Sequence, residues 1–169
     1  MKHLIVVDMQ KDFIDGALGS PEAVSIVPAV KEYIENFCGE IIFTRDTHHD
    51  DYMNTQEGRN LPVPHCIKDT EGWQIAKELS PLAQGRKIFD KTTFGSTHLA
   101  EYLKKQGDVD EVTIIGLCTD ICVISNAMLI KAYLPEVKIS VIEKCCAGVT
   151  TDSHKRALDA MKVCQIEIK

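Results

Sequence analysis

Apolar and polar positions along this chain follow two rhythms. Short, nearly unbroken apolar runs predict six strands: "HLIVVD" over 3–8, "EIIFTRD" over 40–46, "RKIFDK" over 86–91, "EVTIIGL" over 111–117, "VKISVIE" over 137–143 and "CQIEIK" over 164–169. Helical spacing fills the intervals. Val27, Val30, Ile34 and Phe37 predict a helix over about 26–37, with Pro28 in its first turn and Gly39 at its end. A short helix is expected over Trp73–Leu79, ending near Pro81. Ser96 caps a predicted helix that runs to Gln106 and is closed by Gly107. A long helix is expected from about Thr119 to Tyr133, stopped by Pro135, and a capped helix in "TTDSHKRALDAMKV". Residues 47–72 are polar and aperiodic, and a loop of that length inside a compact domain usually carries function.

Strands alternating with helices predict the α/β class: a mostly parallel sheet covered on both faces, in three layers. In such sheets ligands sit beyond the carboxyl ends of strands, near a switch in strand order. Asp8, Asp46, Lys91, Cys118 and Cys122 all fall at or just past predicted strand ends, which makes them candidates for one crevice.

Bulk composition narrows the classes. The 169 residues suffice for one domain, expected over 1–169, with 44% hydrophobic and 26% charged positions. A formal net charge of −6 without a Lys/Arg block argues against nucleic acid as a partner. The apolar runs are strand-sized, so no membrane span is expected, and "MKHLIVVDMQKDF" meets Asp8 too soon for a signal peptide. A cytoplasmic protein is the expectation, and a homo-oligomer is left open. Seven cysteines is an odd count, and without a secretory signal they read as thiols.

Cys122 falls in the first turn of a predicted helix, where exposed N–H groups and the dipole favour a thiolate. Asp8 offers a carboxylate to take the thiol proton, and Lys91 an ammonium that favours the charged forms of both. A turn through Cys118–Cys122 could aim backbone N–H groups at a developing oxyanion. Taken singly, Asp8 is also a common turn residue, Lys91 a solvated lysine, and both cysteines small core residues. The loop holds Asp46, His48, His49, Asp50, Asp51, Glu57 and His65. Asp46 and His48 are two apart and share a face if extended, a pairing that suits zinc, iron or manganese, though D-x-H alone is a weak motif.

"VVDMQKDF", "TRDTH", "PVPHC", "DKTTFGST" and "GLCTDICV", in this order and spacing, resemble the marker segments of the isochorismatase-like cysteine hydrolases. The loop looks most like that of the nicotinamidases. The resemblance implies a Rossmann-like sheet of order 3-2-1-4-5-6. It puts the family's catalytic residues on Asp8, Lys91 and Cys122, and a cis peptide at Leu117–Cys118, so that backbone N–H groups of Cys118 and Cys122 form the oxyanion hole. It puts metal ligands on Asp46, His48, Glu57 and His65, with zinc the foremost divalent ion, and a pocket aromatic on Phe13. Leu61 stands near where many nicotinamidases carry a stacking tryptophan, and Trp73 lies further on.

The expected activity is therefore hydrolysis of a small amide, nicotinamide first. Another amide or a ureido acid is the near alternative, and isochorismate hydrolysis a weaker one. A non-catalytic thiol–metal module built on Cys118, Cys122, Cys145 and Cys146 is the distant one. The residues assign no role to Cys38, Cys66, Cys145, Cys146 or Cys164.

Overall fold

The computed structural model describes residues 1–169. Six strands form one parallel sheet of order β3-β2-β1-β4-β5-β6: β1 Lys2–Val7, β2 Glu40–Asp46, β3 Lys87–Lys91, β4 Glu111–Leu117, β5 Lys138–Ala147 and β6 Glu167–Ile168. This is the expected three-layer α/β/α arrangement. The central strands are buried on both faces, which is why their sequences read as continuous apolar runs. One face packs under α2 (Pro21–Asn36) and the segment around Trp73–Ala83. The other packs under α5 (Thr97–Gln106), α6 (Ile124–Tyr133) and α7 (Thr151–Val163). Strand order reverses between β1 and β4, and the carboxyl ends of β1 to β4 open there.

The structure departs from the sequence reading in several places. Helix α2 starts at Pro21, not near residue 26, so Pro28 lies inside it and not in its first turn. Ser20 accepts from the Ala23 N–H, and Pro21 suits the opening position. Burial of Ala23, Ile26, Val27, Val30 and Ile34 outweighs the backbone bond that Pro28 removes. No helix forms over Trp73–Leu79. Gln74 and Ala76 instead bond the backbone of Lys11 and Met9, and the helical turn α4 (Ser80–Ala83) starts at Pro81's position instead of ending there. The aperiodic loop contains a 3₁₀ turn, Tyr52–Asn54, and a short helix α3, Gln56–Asn60. A further short helix, α1 (Lys11–Ile14), follows β1. Strand β5 runs on through Ala147, and the first turn of the helix after β4, Thr119–Val123, is π-helical.

Candidate active site

β1 ends at Val7, and Asp8 follows in a left-handed conformation with φ 47°, which aspartate tolerates better than most residues. Its N–H donates to the Thr44 carbonyl on β2 at 3.2 Å, and its Oδ1 accepts from Thr44 Oγ1 at 2.6 Å. Lys91 ends β3 in register with Asp46, which ends β2. The Lys91 Nζ lies 2.6 Å from Asp8 Oδ2, 3.4 Å from Asp46 Oδ1 and 3.5 Å from Cys122 Sγ, and donates to the Thr93 carbonyl at 3.1 Å. All four side chains are buried. One ammonium thus faces two carboxylates and a sulfur. Apart from that ammonium, Asp8 Oδ2 has no partner.

Charge and burial act against each other here. Burial pushes the Asp8 carboxyl above its ordinary value; Lys91 opposes this and Asp46 reinforces it. Burial alone would lower the Lys91 ammonium, but the anionic forms of Asp8, Cys122 and Asp46 together hold it well above its ordinary value. Burial and the Asp8 charge push the Cys122 thiol well up, with Lys91 opposing, and Asp8 lies within hydrogen-bonding reach of it. The resting group is therefore a protonated thiol beside a carboxylate that can accept its proton.

The turn that carries Cys122 is built by backbone contacts. Gly116 on β4 has φ 121°, and a Cβ there would meet the Val7 carbonyl at 2.1 Å, so only glycine lets β4 approach β1 so closely. The Leu117–Cys118 peptide is cis, as expected. The Cys118 N–H donates to no protein acceptor. Two contacts brace the turn from around α7: Val149 N–H donates to the Asp120 carboxylate at 3.2 Å, and Thr119 Oγ1 lies 2.7 Å from His154 Nδ1.

Beside this group, Asp46, His48, Glu57 and His65 bring one donor atom each within 4.8 Å of one another. His48 Nε2 is 3.0 Å from Asp46 Oδ2 and 3.5 Å from Glu57 Oε1; His65 Nε2 is 3.6 Å and 3.7 Å from the same two oxygens. These separations, and the two-nitrogen, two-oxygen donor set, fit a four-coordinate divalent ion. Val63 O lies 2.8 Å from His65 Nδ1, so a proton there leaves Nε2 free as a ligand. Burial and the Asp46 charge raise the Glu57 carboxyl, a crowding of anions that a divalent cation relieves. The four residues can hold a divalent metal ion.

Gln10, which the sequence reading passed over, fixes Asp46. It is fully buried, its Oε1 accepts from Asp46 N–H at 2.7 Å, and its Nε2 donates to the carbonyls of Asp46 at 2.8 Å and Trp73 at 2.9 Å. The amide thus imitates a neighbouring strand. Trp73 is buried, bonds Thr47 Oγ1 at 2.9 Å, lies under the Arg45 guanidinium and does not line the cavity described next.

A cavity of about 200 Å³ separates the two groups. Cys118 and Cys122 form one wall, and Asp46, Glu57 and His65 another. Phe13 and Leu61 line it as expected, and Leu18, Asn60, Phe94 and Ile121 complete it. Neighbouring residues stay apart from this arrangement. His49, Asp50 and Asp51 are exposed and join no ligand group. Cys118, Cys122, Cys145 and Cys146 form no metal-holding group, and all seven cysteines are free, which removes the structural basis for a thiol–metal module.

Known proteins share this arrangement of strands and residues. The chain is 33% identical to an uncharacterized isochorismatase family protein of Bacillus subtilis, over 93% of this chain and 92% of that one. It is 26% identical to the nicotinamidase/pyrazinamidase of Mycobacterium tuberculosis, over 99% and 98%. The crystal structure of a pyrazinamidase of Pyrococcus horikoshii in complex with zinc superposes with a TM-score of 0.86 at 31% identity, over 99% of this chain and 98% of that one. The sequence profile of the isochorismatase domain matches residues 2–168, and the chain belongs to the isochorismatase family.

Proposed function

We propose that this protein is a cysteine-dependent amidohydrolase that cleaves the C–N bond of a small aromatic carboxamide, nicotinamide first, releasing the acid and ammonia. The observation that carries this reading is the position of one apolar slot between Cys122, with Asp8 and Lys91 behind it, and the Asp46–His48–Glu57–His65 cluster. Relatives named nicotinamidase, among them that of Schizosaccharomyces pombe at 25% identity, support it. The slot is smaller than the roughly 300–1,000 Å³ of drug-sized sites, so the ligand is small. Its lining has no Lys or Arg side chain, which leaves the carboxylate of a ureido acid without a cationic partner.

In this reading Asp8 takes the Cys122 proton and Sγ attacks the amide carbon. The N–H groups of Cys118 and Cys122 stabilise the oxyanion. Collapse of the tetrahedral adduct breaks the C–N bond, and Asp8 returns its proton to the departing nitrogen. Asp8 then takes a proton from the water that opens the thioester, and Cys122 leaves as the thiol. Lys91 sits beside both partners, so the negative charge it stabilises moves between Asp8 and Cys122 and is never left unpaired in a buried site. A divalent ion on the cluster, zinc in this reading with iron and manganese the other candidates, supplies a Lewis-acid anchor for a substrate donor atom such as a ring nitrogen. We place the protein in the cytoplasm as one hydrolase domain; no helix in it is long and apolar enough to cross a membrane.

The test is ammonia release from nicotinamide by the purified, zinc-supplemented protein. Turnover is expected, and none with metal bound rejects the substrate. For the cluster, His48→Ala is expected to lower zinc retained after dialysis from about one ion per chain to under about a tenth, since one of four ligands is lost. Atomic absorption reads this without any assay of activity, and full retention rejects the ligand assignment.

A further inference from the structure

Asn126 is an amide set in an apolar layer. On α6 it lies among Val123, Ala127 and Ile130, and like them it is fully buried. Buried amides persist where their polar atoms are paired. Nδ2 donates to the carbonyls of Cys122 at 2.8 Å and Phe94 at 3.1 Å, and Oδ1 accepts from the Ser96 N–H at 3.0 Å. These partners lie on two separate pieces of chain. Cys122 is the attacking residue of the proposed reaction. Phe94 and Ser96 belong to the short link between Lys91, at the end of β3, and the start of α5. That link lies close against α6, because a Cβ on Gly95 would sit 3.4 Å from Leu129 and 3.5 Å from the Ser125 carbonyl. Phe94 lines the slot and is 42% exposed, so little packing holds its ring.

We infer that Asn126 is a positioning residue that ties the Phe94 wall of the slot to Cys122, and that Phe94 thereby sets the orientation of the substrate's ring relative to the attacking sulfur. This rests on the carboxamide reading above. A half-exposed aromatic gives a reliable wall only if its backbone is fixed, and the Asn126 amide bonds that backbone directly. The same amide group bonds the backbone of the attacking residue, so the two cannot drift independently.

Asn126→Thr separates the two ties. A threonine hydroxyl can still bond the carbonyl four residues back, that of Cys122, but does not reach Phe94 or Ser96. The KM for nicotinamide is expected to rise about tenfold and kcat to fall by less than about threefold, the pattern of lost positioning. Phe94→Ala is expected to give a similar rise in KM, and the double variant no larger one, because both changes remove the same contact. A merely structural Asn126 would lower Tm and leave KM alone. Unchanged KM in Asn126→Thr, or multiplicative KM effects in the double variant, overturns the inference.

A readout that needs no turnover keeps this independent of the proposed activity. The Cys122 peptide, followed by mass spectrometry, reports alkylation by an N-aryl chloroacetamide relative to chloroacetamide. The aryl preference of the wild type is expected to fall in each single variant and no further in the double. Equal preference in all four proteins overturns the inference, whereas failure to hydrolyse nicotinamide with the expected alkylation pattern rejects only the substrate.

Discussion

Asp8→Asn is expected to stop amide turnover while making Cys122 react faster with iodoacetamide. The two effects have opposite signs because Asp8 acts on Cys122 in two ways. As a base it accepts the thiol proton and later delivers it to the departing nitrogen, and removing such a group costs about 10²–10⁴-fold. As a charge it raises the thiol pKa, within hydrogen-bonding reach of the sulfur. An amide in its place still accepts the Thr44 hydroxyl bond but no longer competes for the Lys91 ammonium, 3.5 Å from Sγ. The thiolate then pairs with Lys91, its fraction at a given pH rises, and alkylation follows the thiolate. Ammonia release should fall about 10³-fold, and alkylation of the Cys122 peptide at pH 8 should rise severalfold. Site-resolved mass spectrometry is needed because Cys38 is exposed and reacts as well. Cys122→Ala should lose turnover and leave its peptide unlabelled. Slower alkylation in Asp8→Asn, or turnover above a tenth of wild type, rejects the assignment of Asp8 as the base.

Lys91→Met should be the most destabilising single change in the site. It removes the only cation within 4 Å of the buried Asp8 and leaves Asp8 Oδ2 with no partner. Breaking a buried ion pair from one side costs about 3–5 kcal/mol. In a chain of this size that corresponds to a Tm lower by roughly 6–20 °C. The loss should depend on pH with a defined sign. The folded-state pKa of Lys91 is raised, so its contribution is fully present below the unfolded lysine value near 10.4 and is lost only as pH rises through the folded one. At neutral pH the whole effect is therefore seen. In the variant the remaining group is Asp8, whose folded pKa burial already raises. Its unpaired charge is a penalty present above that folded value and relieved as pH falls through it. The Tm gap between wild type and Lys91→Met should narrow toward acid pH. A gap that is constant between pH 8 and pH 5, or a Tm within about 2 °C of wild type, would count against the buried pair.

Much of this site is visible in the sequence because strand ends are visible. An apolar run buried on both faces must stop where the chain turns polar, so "HLIVVD", "EIIFTRD" and "RKIFDK" mark where Asp8, Asp46 and Lys91 lie. In a parallel sheet those ends share one edge, and the structure brings all three within ion-pair distance through Lys91. The residues that hold this group in place were harder to see. Gln10 and Thr44 are polar residues whose partners lie 36 positions away, and nothing local to either predicts that bond. Asn126 did leave a signal. It shares the apolar face of α6 with Val123, Ala127 and Ile130, and a polar residue on such a face needs a buried partner.

The helix expected over Trp73–Leu79 failed for a related reason. Trp73, Ala76 and Leu79 recur at helical spacing and are all buried, so the pattern of burial was real. The backbone was claimed by another part of the chain, with Ala76 N–H on the Met9 carbonyl and Lys11 N–H on the Gln74 carbonyl. Burial can be satisfied by several backbone conformations, and only the long-range hydrogen bonds chose among them. The start of α2 is the reverse case: Ser20 and Pro21 are a local signal that the periodicity of the later turns obscured.

By itself the sequence determined the α/β class, the strands and the side chains that end them, because burial and chain direction are local properties of a parallel sheet. Only the tertiary structure decided that one ammonium faces Asp8, Asp46 and Cys122, that Gln10 and Asn126 hold their neighbours in place, and that an apolar slot separates the thiol from the four-ligand cluster. Those facts are distances between residues far apart in the chain. They come from packing the two faces of the sheet, which fixes where each strand end lies relative to the others.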